Sequence, residues 1–136
     1  TAKLDPDAVF LPERLRQHLN AGKFNSWTPM YFKNCERWGS MQGPIEVFSR
    51  KAMETLTNRI SECKQNIEHS KIGEDIFMQK CTVELGFQGT NDWKMLNDQY
   101  CWPNRGPCTD GWTVAFHPYK SISTYKACLG QATGQR

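Results

Sequence analysis

Apolar residues recur at helical spacing over two neighbouring stretches in the middle of the chain. Between residues 52 and 67 they fall three or four positions apart, which is the spacing of one face of an α-helix. Ser49 stands just before this stretch and is of a type that caps helices. After Gly73, the pair Glu74 and Asp75 opens a second helix. The pattern therefore predicts two consecutive helices that each turn one face to a core.

Short apolar runs on either side of these helices indicate strands at residues 2–4, 30–32, 45–48 and 112–116. The run at 45–48 alternates like a strand with one covered face, and two shorter helices are predicted at 13–19 and 122–129. The segment after Gly86 has no clear period and is predicted to be irregular up to residue 111. Helices placed between strands favour an α/β fold, which we expect to form a single domain over residues 1–136.

Length, charge and motifs narrow the range of functions. The chain has 136 residues, a net charge of +3 and no run of like charges, which argues against nucleic acid as the main partner. No apolar run is long enough to span a bilayer, so no transmembrane segment is predicted. The sequence patterns of P-loop NTPases, Rossmann dehydrogenases, zincins and α/β-hydrolases are absent.

The cysteines indicate disulfides. There are six, none in a C-x-x-C pair, in a small chain with five tryptophans, and this is typical of an oxidising compartment rather than the cytosol. Six cysteines allow many pairings, and the single best guess is Cys101 with Cys108, which flank a short Pro/Gly loop at 102–107. Six buried, reduced thiols are the alternative.

A possible metal site is suggested by carboxylates and a histidine far apart in the sequence. Asp5 and Asp7 flank Pro6 on a predicted turn after a strand, and two hard oxygen ligands there can hold Mg²⁺ or Mn²⁺. The same triplet is also ordinary turn and capping chemistry. His117 follows a predicted strand and is either a hydrogen-bonded core histidine or a metal ligand. His18 and His69 are interpreted as lying on polar helix faces and are given no role.

Two further segments carry candidate chemistry. Glu74 and Asp75 are natural partners of a helix dipole, but a carboxylate there can also serve as a general base towards a hydroxyl. Gly43 and Pro44 precede a predicted strand, where a glycine allows a ligand to approach the backbone. Trp38 lies near enough in sequence to cover a sugar face, although composition alone favours a plain turn for this segment.

The order of these segments resembles a known enzyme type. Along the chain it runs KLDPDAVF at 3–10, GPIEVFS at 43–49, GEDIFMQKC at 73–81 and AFHPYK at 115–120. This is similar to glycosyltransferases of the GT-A kind, of the fringe and β-1,3-galactosyltransferase type, and closer still to a set of glycosyltransferase-like proteins of dinoflagellate algae. The resemblance implies a partial GT-A-like mixed sheet with flanking helices.

The resemblance also implies roles by position. It assigns a metal site to Asp5, Asp7 and His117. The catalytic base would be Asp75 or Glu74, and Gly43 and Pro44 would form the floor of an acceptor pocket. The resemblance implies Mn²⁺ or Mg²⁺ as the cofactor, a UDP-sugar as the donor, and a glycan or a protein as the acceptor. Pro6 interrupts the aspartate-rich triplet of the family, and only one glycine precedes Pro44, where the enzymes usually have several.

The resemblance covers only the later portion of the family domain. The strands of the nucleotide pocket are expected before Thr1, which would leave an unpaired inner sheet edge that other protein chains could cover. One alternative is therefore a non-catalytic structural subunit in a larger assembly, such as a photosystem in an algal plastid. Another is a secreted, lectin-like binding module. The expected location is the secretory lumen or a plastid.

Overall fold

The computed structural model describes residues 1–22, 24–102 and 106–135. Within them it has a mixed α/β fold with four helices and seven short strands. The helices are α1 (Pro12–Asn20), α2 (Arg50–Asn66), α3 (Glu74–Glu84) and α4 (Ile122–Thr133). The strands are β1 (Ala2–Leu4), β2 (Val9–Phe10), β3 (Met30–Lys33), β4 (Ile45–Val47), β5 (Gln88–Asn91), β6 (Leu96–Asp98) and β7 (Ala115–His117).

The helices follow their sequence signals closely, and all four predictions are confirmed. Pro12 takes the first turn of α1, where a missing N–H costs nothing. The Ser49 hydroxyl accepts a hydrogen bond from the Ala52 amide at 3.0 Å and caps α2. The first residue of α3 is Glu74, and after this helix Gly86 takes a φ of +72°, a conformation that suits glycine.

The strands form three small sheets among the described residues. β1 pairs with β4 antiparallel, β3 pairs with β5 parallel, and β7 lies between β2, its antiparallel partner, and β6, its parallel partner. The interpretation of the segment after Gly86 as irregular is wrong, because β5 and β6 both lie in it. Their pairing partners are distant in sequence, so a local pattern does not mark them.

Two other strand predictions need correction. β4 is buried at all three positions, including Glu46, and is therefore not covered on one face only. The final strand begins at Ala115 rather than at Trp112, whose side chain is 66% exposed. The β4 alternation misled because Glu46 is an acidic side chain at a buried position, where its environment must compensate for the charge.

Three disulfides join the described residues, and the predicted Cys101–Cys108 pairing is wrong. The bridges are Cys35–Cys101, Cys63–Cys81 and Cys108–Cys128. Cys101, just after β6, lies against Cys35, just after β3, with the two Cα atoms 5.0 Å apart. The bridges indicate an oxidising compartment. Residues 103–105 of the predicted Cys loop lie outside the described residues, and no helix within the described part could cross a membrane.

Candidate metal centre and carboxylate cleft

Three residues predicted as metal ligands converge at one point. The β2–β7 pairing places Val9 opposite Phe116, and this brings the turn of Asp5 and Asp7 beside His117 at the end of β7. One ligand atom from each of these three residues lies within 4.8 Å of the other two. All three side chains are partly buried. The turn is held from the far side as well, because the Tyr119 amide donates to the Asp7 carbonyl at 2.9 Å.

The His117 ring is oriented by a second carboxylate. Its Nδ1 lies 2.5 Å from Asp98 Oδ2, and its Nε2 lies 3.3 Å from Asp7 Oδ1. Asp98 is 3% exposed and is itself fixed, because its Oδ1 accepts a hydrogen bond from the Tyr100 amide at 2.6 Å. A carboxylate behind a histidine, which fixes the ring orientation and raises ligand basicity, is a common arrangement in metal sites.

Asp98 was missed in the sequence because its role depends on strand pairing. β6 runs parallel to β7 with Asp98 directly opposite His117. The only local signal is an apolar pair, Met95 and Leu96, followed by Asn and Asp, which is typical of a buried strand that ends at a polar site.

The donor set fits a hard divalent cation. Two carboxylates suit Mg²⁺ or Mn²⁺, and the imidazole favours Mn²⁺ of the two. The hydrogen bond from Lys120 Nζ to Asp7 Oδ2, at 2.7 Å, lowers the pKa of Asp7 against partial burial, and the charge of His117 adds to this lowering. Asp7 is therefore held in the ionised form that binds metals. Lys3 Nζ lies 3.5 Å from Asp5 Oδ1.

A cleft of about 310 Å³ opens beside the three residues. It brings together most of the residues predicted to form the site, and its lining comprises Lys3, Asp5, Gln42, Gly43, Pro44, Glu74, Asp75, Asp98, Tyr100 and His117. Trp38 does not belong to this lining. It is 57% exposed, with the Arg37 guanidinium 4.8 Å from its ring centroid. Its role towards a sugar stays a prediction.

The floor of this carboxylate cleft is built by a buried amide. Asn34 is fully buried, and its Nδ2 donates to the Gln42 and Ile45 carbonyls while its Oδ1 accepts from the Gln42 amide. These bonds fix the loop that carries Gly43 and Pro44. A Cβ at Gly43 would stand 3.2 Å from the Asp75 Cβ, so the glycine makes room for that side chain.

Glu74 and Asp75 differ in their surroundings. The Glu74 carboxylate is 58% exposed and forms a salt bridge with Lys3 at 2.7 Å. Asp75 is partly buried over Gly43 and accepts a hydrogen bond from the Ile76 amide at 2.8 Å. It makes no salt bridge with any described residue. Asp75 is therefore the better placed of the two to take a proton from a bound hydroxyl.

A buried carboxyl group lies under this cleft and was not singled out in the sequence. The Glu46 side chain is 1% exposed, and its Oε1 lies 3.4 Å from Lys3 Nζ. Burial, together with the charge of Glu74, raises the pKa of Glu46 to about 7, although Lys3 opposes the rise. The pKa of Lys3 is lowered by partial burial but raised more by its hydrogen bond with Glu74 and by nearby carboxylates, and the net shift is upward.

The raised pKa of Glu46 predicts a pH-dependent stability. The folded protein binds a proton that the unfolded chain releases, so the free energy of unfolding falls as the pH rises from about 4.5 to about 7, by up to about 3 kcal/mol. Glu46→Gln should remove this loss, which urea unfolding of both proteins across this range would measure. Glu62→Gln on the surface of α2 is the matched control. Equal pH slopes for wild type and Glu46→Gln would contradict the assignment.

A second, more open cleft of about 850 Å³ lies on the other side of the aspartate turn. It is bounded by the start of α4, and its lining includes the cations Lys120 and Lys126, the Tyr125 ring and Ile122, which is 77% exposed. The N-terminus of a helix and two lysines favour anions. The two clefts meet at the aspartate turn, since Asp5 lines both of them and Asp7 lines the second.

In comparisons with known proteins, no family model, no curated protein and no solved structure matches this chain. A functional assignment therefore rests on the resemblance of the sequence segments and on the arrangement of the described side chains.

Proposed function

We propose that this chain carries a metal-dependent glycosyltransferase site, which transfers a sugar from a UDP-sugar to a hydroxyl acceptor. The observation that supports the proposal most directly is the convergence of Asp5, Asp7 and His117 to within 4.8 Å, at the edge of a cleft that contains Asp75. These residues come from segments far apart in the sequence. The sequence resemblance assigns a role to each of them.

The residues around the metal centre have separate tasks in this proposal. A Mn²⁺ or Mg²⁺ ion, when bound, would act as a Lewis acid towards the charge that develops on the leaving diphosphate. Asp5 and Asp7 supply oxygen ligands, and His117 supplies a nitrogen that Asp98 holds in place. Lys120, whose Nζ is 2.7 Å from Asp7 Oδ2, is close enough to the aspartate turn to offer its positive charge to a diphosphate there.

The open cleft beside α4 is suited to the donor. Lys120, Lys126 and the first turn of α4 offer positive charge and N–H groups to a diphosphate. Tyr125 offers an aromatic face to a base. The donor would then approach the aspartate turn from this side.

The carboxylate cleft is suited to the acceptor. Asp75 lies over Gly43, where a hydroxyl can reach it, and takes the proton as the oxygen attacks the sugar carbon. Tyr100 is 66% exposed in the same lining and can contact an acceptor sugar. The resemblance implies an inverting transfer, in which the hydroxyl oxygen bonds to the anomeric carbon on the side opposite the leaving UDP, whose bond to that carbon breaks. The oxidising compartment would be the secretory lumen or a plastid.

The decisive experiment is calorimetry with UDP, with and without Mn²⁺, on the purified chain. We expect measurable heat only when Mn²⁺ is present, because the diphosphate reaches the carboxylates through the cation. Equal binding without metal, or no binding in its presence, would reject the glycosyltransferase proposal for this chain.

A structural role is the second candidate, favoured by one observation. β1 pairs with β4 on one side, and its other edge has no strand partner among the described residues. An open edge is a surface to which another chain can add a strand. If UDP and Mn²⁺ do not bind, this surface makes the protein a scaffold derived from a glycosyltransferase, as a subunit of a larger assembly such as a plastid membrane complex.

A further inference from the structure

A separate cleft of about 900 Å³ borders β6, and three of the five tryptophans line it. These are Trp93, Trp102 and Trp112, with Asn97 at the floor. We propose that this tryptophan cleft binds a neutral pyranose sugar, independently of the metal centre. Its volume falls within the range of small-molecule sites, which combine aromatic walls with a few polar groups.

The floor of the tryptophan cleft has an acceptor that lacks a donor. Asn97 is 8% exposed, and its Nδ2 donates to the Gly106 carbonyl at 3.2 Å. The carbonyl can only accept, so this bond fixes which amide atom is the oxygen. Oδ1 is buried and has no hydrogen-bond partner among the described residues. Since a buried polar atom without a partner is costly, a small local movement that lets a sugar hydroxyl donate to Oδ1 is offset by the new hydrogen bond.

Two of the aromatic walls are held by one histidine. His18, predicted to have no role, lies on α1 with a side chain that is 9% exposed. Its Nδ1 is 2.7 Å from Asp92 Oδ2, next to Trp93, and its Nε2 is 2.9 Å from the Trp112 carbonyl. The interpretation of His18 as a residue on a polar helix face is wrong, because its side chain is mostly buried against loops from distant parts of the chain.

The loop that carries Trp112 is fixed further by charge-assisted bonds. Arg14 Nη1 donates to the Asp110 and Thr113 carbonyls at 2.6 and 2.7 Å. The Asp110 carboxylate accepts from the Trp112 amide at 2.9 Å. The third wall, Trp102, follows Cys101, whose disulfide anchors that end of β6 to the core. Walls that are held before binding lose little entropy when a ligand arrives.

The charges of the tryptophan cleft favour a neutral ligand. Asp92 is paired with His18, and Asp110 is paired with Lys94 at 3.0 Å. The polar lining that remains is mainly amide and hydroxyl, from Gln17, Asn91, Asn97 and Thr113, together with the Glu36 carboxylate. A phosphate would meet carboxylates without an unpaired cation in this lining. A pyranose instead offers apolar C–H faces to the rings and hydroxyls to the amides.

β6 separates the two sites. Asn97 lines the tryptophan cleft, the next residue Asp98 lines the carboxylate cleft, and the two linings share no residue. Sugar binding at Asn97 therefore requires neither UDP nor Mn²⁺. It can be tested independently of the glycosyltransferase proposal.

The test is a ¹H–¹⁵N NMR titration of the whole chain without metal or nucleotide. The probes are maltotriose, cellotriose, N-acetylchitotriose and lactose, each to about 20 mM, which reaches weak millimolar affinities. We expect at least one probe to shift the indole N–H signals of Trp93, Trp102 and Trp112 saturably, while that of Trp27, which lies outside the cleft, stays in place. Tetramethylammonium and inorganic phosphate serve as charged competitors and should not shift these signals.

Two variants locate the contact. Trp112→Ala, at a position 66% exposed, should raise the sugar dissociation constant about tenfold, and Asn97→Leu should do the same by removing the acceptor. Trp27→Ala, which removes a ring that is 73% exposed and outside the cleft, should leave the affinity unchanged. Because Trp112 is exposed, its variant folds even if Asn97→Leu does not.

Three results would overturn the proposal. These are no saturable shift with any of the four sugars, saturable shifts with tetramethylammonium or phosphate in place of sugar, and equal weakening by Trp27→Ala and Trp112→Ala.

Discussion

Asp7→Ala abolishes the Mn²⁺-dependent binding of UDP, with an expected loss of affinity of more than about 100-fold. Asp7 contacts both His117 and Lys120. Its Oδ1 lies 3.3 Å from His117 Nε2, and its Oδ2 lies 2.7 Å from Lys120 Nζ. Its removal takes away a cation ligand and also leaves Lys120 without its carboxylate partner. Titration calorimetry with UDP, at fixed Mn²⁺, measures the change.

The matched control is Glu62→Ala, which makes the same change of charge on the surface of α2. It should bind UDP and Mn²⁺ as the wild type does. Circular dichroism of both variants separates a lost site from a lost fold. An Asp7→Ala protein that is folded and still binds UDP with wild-type affinity removes Asp7 from the site.

Loss of the Cys35–Cys101 bridge should give the largest loss of stability among the three disulfides. The bridge spans 66 residues of chain, against 18 for Cys63–Cys81. A cross-link restricts the unfolded chain more when its loop is longer, so Cys35→Ala with Cys101→Ala should lower the free energy of unfolding by about 4 kcal/mol. Both cysteines are also buried in the central core cluster, where truncation removes packing.

The comparison that decides this prediction is the double variant Cys63→Ala with Cys81→Ala, expected to lose about 3 kcal/mol. Urea unfolding of both proteins, each with its remaining bridges intact, gives the two values. A loss at the Cys63–Cys81 bridge that equals or exceeds the loss at Cys35–Cys101 would refute the loop-length explanation.

The sequence predicts those parts of the fold that depend on near neighbours. α2 and α3 follow from the spacing of apolar residues, from the Ser49 cap and from Gly73, because each signal acts within about one helical turn. β5 and β6 are not predicted, because β5 is a polar strand of Gln88–Asn91 that exists through its pairing with β3. Strand formation depends on a partner that a local pattern does not contain.

The residues of the candidate site also divide into those that the local sequence indicates and those that it does not. Residues whose type and spacing alone suggest metal binding, such as the paired aspartates and His117, can be singled out in the sequence. Asp98 and Glu46 do not, because their importance comes from what lies across a strand: Asp98 faces His117, and Glu46 lies under Lys3. The pairing of the cysteines failed for the same reason. Proximity along the chain favoured Cys101 with Cys108, whereas the sheet places Cys101 against Cys35.

The nested arrangement of two disulfide bridges determines what proteolytic cleavage does to the molecule. The Cys63–Cys81 loop lies wholly inside the Cys35–Cys101 loop, and the exposed turn at residues 68–71 belongs to both. A protease that cuts this turn leaves two pieces joined covalently at two points, with the β6–β7 pairing and the aspartate turn untouched. Backbone cleavage at this exposed connection between α2 and α3 therefore nicks the molecule without dividing it, and only a reductant releases the two pieces.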